Sequence, residues 1–117
     1  MDLSEKVMNA LYDLGLAPIT CGFYYLRDAI LIRCENPYLK LHGEGGIFDK
    51  IAQTHLDAQE KNRINRLMVT RCVRHIANKC YASEEITKYM CLTNKSNVTV
   101  GRLVAGVAEY IKGGQYI

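Results

Sequence analysis

Apolar residues recur along this chain three and four positions apart, the spacing of helices rather than strands. Val7, Leu11 and Leu14 share one face, with Ala10 beside them; Asp2 or Ser4 can cap this first helix, and Glu5 sits in its first turn. Gly15 predicts its end, and Leu16-Ala17-Pro18 a short connector. A second helix is predicted from about Thr20–Gly22 to Cys34, with Phe23, Leu26, Ile30 and Cys34 inward. Tyr24, Leu31 and Ile32 widen that face, so this helix should be the buried centre of the fold. Asn36-Pro37 ends it. Gly43, Gly45 and Gly46 follow without the lysine and serine of a nucleotide loop and without a preceding strand, so they read as a turn. Ile47 to Leu56 forms a third helix with Ile47 and Ile51 inward. The run Asp57 to Asn62 is polar throughout, and Asp57 is placed to cap what comes next.

What comes next is the most distinctive stretch, Arg63 to Cys80. At about 100° per residue, Met68, Val69, Cys72, Val73, Ile76 and Cys80 fall on one side. Arg63, Arg66, Thr70, Arg71, Arg74, His75 and Asn78 fall on the other. No acidic residue occurs from Arg63 to Lys79. An ordinary solvated helix mixes signs, because acids and bases four apart support one another. A one-signed face gives up that support and points to a polyanion, the alternative being a solvated cationic face or one paired with the acids of Asp49 to Glu60. His75 lies at the edge of the arc and is compatible with either a solvent-facing or a buried, hydrogen-bonded role. Lys79 projects near the apolar side and is expected to snorkel to solvent. A short helix, a polar junction and a basic amphipathic helix in succession are the order of a helix-turn-helix, whose second helix enters the major groove.

Beyond it, Ser83 with Glu84 and Glu85 opens a short helix carrying Ile86, Tyr89 and Met90. Thr93 to Asn97 is a polar loop. Thr99 or Ser96 opens a last helix in which Leu103, Val107 and Ile111 repeat at four, and Gly113-Gly114 closes it. The expected architecture is all-α, about six helices in one compact domain spanning residues 1–117.

Charge and cysteines narrow the chemistry. The net charge of +3 is small, but its cations concentrate where acids are missing. No apolar run reaches bilayer length, and the start MDLSEKV lacks a secretory signal, so the expected location is the cytoplasm, with no membrane partner. Cys21, Cys34, Cys72, Cys80 and Cys91 are odd in number and irregular in spacing, and read as free thiols. Cys72 and His75 are three apart, yet zinc takes about four such ligands and nothing supplies the rest. His42 and His55 are isolated. No paired carboxylates, Ser-His-Asp set or phosphate loop is present. Neither a metal, a cofactor nor an enzymatic activity is expected.

Four stretches carry a resemblance: LGLAPITCGFYYLRDAI (Leu14 to Ile30), IFDKIA (Ile47 to Ala52), RCVRHIA (Arg71 to Ala77) and VAGVAEYI (Val104 to Ile111). In this order they resemble the C-terminal DNA-binding effector domain of the sporulation-initiation response regulator of endospore-forming Firmicutes. The resemblance implies a six-helix domain containing a helix-turn-helix. It implies Arg71, Arg74 and His75 on the recognition helix, and head-to-tail pairing of two copies on double-stranded DNA. Three features depart from the family pattern. The stretch between Ala52 and Arg71 is several residues longer, the loop around Thr93 to Asn97 is shorter, and Met1 stands almost directly before the effector-like part, so that the chain is expected to be either a fragment or a stand-alone relative without the family's phosphoacceptor domain. Control by aspartyl phosphorylation is therefore not implied.

The expected function is sequence-specific double-stranded DNA binding in transcription regulation, in a sporulation-like context. Arg71 and Arg74 are the expected groove residues, and Arg63, Arg66, Thr70 and Asn78 the supporting contacts. The expected partners are DNA, a second copy on DNA, and RNA polymerase or a related full-length regulator. The rival reading is a stand-alone interaction module that pairs with or antagonises a full regulator through its last helix, where Gly106 and the alanines permit close approach.

Overall fold

A computed structural model of the chain describes residues 2–58, 65–81, 83–90 and 99–113, with the backbone alone at 55–58, 87 and 90. Among these residues the structure is all-helical. The helices are α1 (Leu3–Asp13), α2 (Cys21–Glu35), α3 (Ile47–Ala58), α4 (Arg66–Tyr81), the five-residue α5 (Ile86–Met90) and α6 (Val100–Lys112). The stretches Asp57–Asn62 and Thr93–Asn97 fall wholly or mostly outside the described residues.

Local chemistry fixes most helix ends. Asp2 accepts from the Glu5 amide at 2.8 Å, Thr20 from Phe23 at 3.4 Å, and Thr99 from Arg102 at 3.2 Å. Each side chain satisfies an amide that has no partner within its own helix. Ser83 likewise accepts from the Glu85 amide just before α5. Gly15 takes φ of 86°, and the Leu16 amide reaches back to the Leu11 carbonyl, which closes α1 in a Schellman-type turn. Asp57 lies within α3 and does not cap the helix that follows. Asn65 takes that position, accepting from the Met68 amide at 3.0 Å.

The core is one cluster drawn from every helix, and among the described residues no polar or charged residue is buried in it. The Cα radius of gyration is 13.7 Å, close to the roughly 13 Å expected of a compact chain near 100 residues. α2 packs on α1, α3, α4 and α6. That central place explains a departure from the stripe expected for α2. Phe23, Leu26, Ile30 and Cys34 are buried as expected, but so are Tyr25 and Ala29. Tyr24 is solvent-facing, its hydroxyl donating to the Pro18 carbonyl, and Leu31 and Ile32 are half-buried. A helix with neighbours on several sides needs no single apolar stripe.

Gly22 sets how closely α2 approaches α4. A β-carbon there would lie 2.7 Å from the Cys72 carbonyl oxygen and 3.3 Å from the Ile76 β-carbon. The first turn of α2 therefore sits directly on the backbone of α4. Among the described residues, no helix is long and apolar enough to cross a membrane.

Candidate nucleic-acid interface

α4 divides into a buried and an open face. Val69, Val73, Ile76, Ala77 and Cys80 are buried against the core. Arg71, Arg74, His75, Asn78 and Lys79 are exposed. The wheel places Arg71 almost opposite the buried arc, with Arg74 and Asn78 on one side and His75 on the other. His75 therefore faces solvent. Lys79 also reaches solvent. Cys72 is half-buried, and Met68 is 45% exposed, so Met68 does not join the core as the spacing predicted. It lies one turn before Cys72, at the margin of the buried arc. Leu67 is 64% exposed in the same turn.

The supporting residues fare differently. Arg63 lies outside the described residues. Arg66 is exposed, but its guanidinium lies 3.9 Å from an Asp49 carboxylate oxygen on α3. It therefore ties the start of α4 to the start of α3. Thr70 donates its hydroxyl to the Arg66 carbonyl at 2.7 Å and so spends it within α4. Among the described residues no carboxylate pairs with Arg71 or Arg74.

A shallow groove of about 460 Å³ runs along the Arg74 side of this face. Its lining includes Arg74, Asn78 and Tyr81 of α4, His42, and Thr99 and Gly101 where α6 begins. Burial is the main influence raising the Tyr81 hydroxyl pKa, Cys80 adds to it, and the Arg74 charge opposes both. His42 stacks edge-on against Phe48 with centroids 5.4 Å apart. No spacing along the chain marks this groove, because only the packing of α6 beside α4 brings its walls together.

The glycine turn before α3 does not offer its amides outward. The Gly45 amide donates to an Asp49 oxygen at 2.8 Å, so the helix's own carboxylate occupies the place an anion would take. Among the described residues no group of three or more His, Cys, Asp or Glu side chains is placed to hold a metal. Comparison of the chain with protein-family models, curated proteins and solved structures gave no match.

Proposed function

We propose that this protein is a sequence-specific double-stranded DNA-binding domain that inserts α4 into the major groove in helix-turn-helix fashion. α3 and α4 serve as the two helices of that unit, and α2 and α6 as its support. One observation carries the reading. Arg71, Arg74, His75 and Asn78 project from the open face of a helix without a single acid, and neither Arg71 nor Arg74 is paired with a described carboxylate. Arginine reads guanine bidentately and asparagine reads adenine, whereas lysine and arginine at the margins neutralise phosphate. The resemblance of Arg71 to Ala77 to the recognition helix of sporulation-initiation regulators supports the same assignment. It adds transcription control, with two copies meeting on DNA, as the context.

Arg71 and Arg74 are the base-reading residues in this proposal, His75 and Asn78 flank them, and Lys79 meets phosphate. Arg66 is a weaker contact because Asp49 competes for it. Of the α6 residues that the interaction reading uses, Ala108 is buried in the core, whereas Ala105 and Gly106 are half-buried. The test is selection of preferred sites from a random duplex pool, followed by the same selection with Arg71→Ala. A consensus that loses information at one or two adjacent positions in the variant supports the reading. A pool that stays random, with pairing to a full-length regulator retained, supports the interaction module instead.

A further inference from the structure

The first turn of α2 brings a second thiol to α4. Cys21 is the first residue of α2 and is exposed. Gly22, beside it, lies against the Cys72 carbonyl so closely that a β-carbon would stand 2.7 Å away. Cys72 is half-buried. Tyr25, one turn along α2, is influenced by both Cys21 and Cys72, and the Tyr25 hydroxyl hydrogen-bonds with the Cys21 side chain. Burial is the main cause that raises the Cys72 pKa, and Cys21 is the second. The remaining described thiols are kept apart from this pair. Cys34 is buried beneath α6 with its thiol 3.9 Å from the Ala108 carbonyl. Cys80 is buried with its thiol directed to the Ile76 carbonyl.

We propose that Cys21 and Cys72 form a dithiol modification site that a small disulfide, such as glutathione disulfide, oxidises to an intramolecular bond joining α2 to α4. The Cys21 thiolate attacks one sulfur of glutathione disulfide. The glutathione S–S bond breaks, a mixed disulfide forms on Cys21, and one glutathione thiolate leaves. The Cys72 thiolate then attacks the Cys21 sulfur and expels the second glutathione. Two cysteine thiols are oxidised, one glutathione disulfide is reduced to two glutathiones, and the two protons lost by the cysteines go to the departing thiolates. Cys21 reacts first because it is the exposed member. Cys72 resolves because the backbone contact of Gly22 with Cys72 keeps this part of α4 against the first turn of α2. This inference does not depend on the DNA-binding proposal.

The experiment treats the full chain with glutathione disulfide and maps the products by peptide mass. The folded protein should lose two hydrogens, retain no glutathione, and yield one linked pair, the peptides containing Cys21 and Cys72. Cys72→Ser should stop with glutathione held on Cys21, and Cys21→Ser should form no linked pair. The preference for this pairing should vanish in denaturant, where the helices no longer hold the two residues together. A wild-type product that keeps glutathione on Cys21, a linkage between any other two cysteines, or a pairing that survives denaturant unchanged would overturn the proposal.

Discussion

Replacing Gly22 with alanine should destabilise the protein even though the change places a better helix former inside a helix. The added methyl would stand 2.7 Å from the Cys72 carbonyl oxygen, well inside ordinary contact distance, and the group it meets is helical backbone that cannot rotate away. Overpacking of this kind costs about 1–3 kcal/mol. The helix-propensity gain from glycine to alanine is at most about 1 kcal/mol, and smaller in a first turn. With a first-turn gain of about 0.5 kcal/mol, the cost should win by roughly 0.5–2.5 kcal/mol. The readout is the urea midpoint at unchanged m-value. Gly101→Ala is the control, because a β-carbon there stands at ordinary contact distance, 3.5 Å from the Leu41 side chain and 4.0 Å from the Thr99 hydroxyl. It should be neutral or stabilising by up to about 1 kcal/mol. Relief of the Gly22 clash displaces α4, so duplex affinity should fall too, with Arg71 and Arg74 untouched. A Gly22→Ala protein as stable as the parent would refute the close approach of α2 and α4.

Two further predictions follow from single contacts. Asn65→Ala removes the side chain that accepts from the Met68 amide, and should cost about 1 kcal/mol in denaturant melts, with fraying at the start of α4 visible as faster amide exchange. Asp13 is held below its ordinary value of 3.8, first by the Tyr89 hydroxyl at 2.7 Å and then by Lys88 at 3.2 Å. A carboxylate depressed in the folded state contributes stability above its unfolded pKa and loses it as pH falls through the folded one. Asp13→Asn should therefore flatten the acid limb of stability against pH and leave a constant offset at neutral pH. An acid limb of unchanged steepness would count against the Asp13–Tyr89–Lys88 contact.

The helices and their ends were legible because local chemistry determines them. Asp2, Thr20, Ser83 and Thr99 each sit where a polar side chain can serve a free amide, and Gly15 sits where a left-handed residue must. The basic face was legible for the same reason, since sign and spacing are properties of α4 alone. The central place of α2 was legible from its widened apolar face, but the contacts between particular residues of different helices were not. Gly22 read as the start of a helix, yet its role is the close approach to Cys72, a residue fifty positions away. Arg66 read as an outward cation, but its pairing with Asp49 depends on where α3 lies. Tyr24 and Met68 read as core because one-dimensional spacing cannot tell the centre of a buried arc from its margin. The groove formed by His42, Arg74 and Gly101 joins three separate parts of the chain and left no mark on any of them.

The salt dependence of duplex binding tests the central claim most directly. Affinity for a selected site, followed by fluorescence anisotropy across a series of salt concentrations, should fall linearly on logarithmic axes with a slope of several units. Arg71→Ala should weaken the selected site by about 1–3 kcal/mol, well beyond its effect on random duplex. Arg66→Ala should change binding less, since the Asp49 carboxylate lies 3.9 Å from its guanidinium and offsets part of its charge, and Lys6→Ala on α1 should leave it unchanged. Binding that is insensitive to salt, or Arg71→Ala and Lys6→Ala proteins that bind the selected site equally well, would contradict the assignment of α4 as the reading helix.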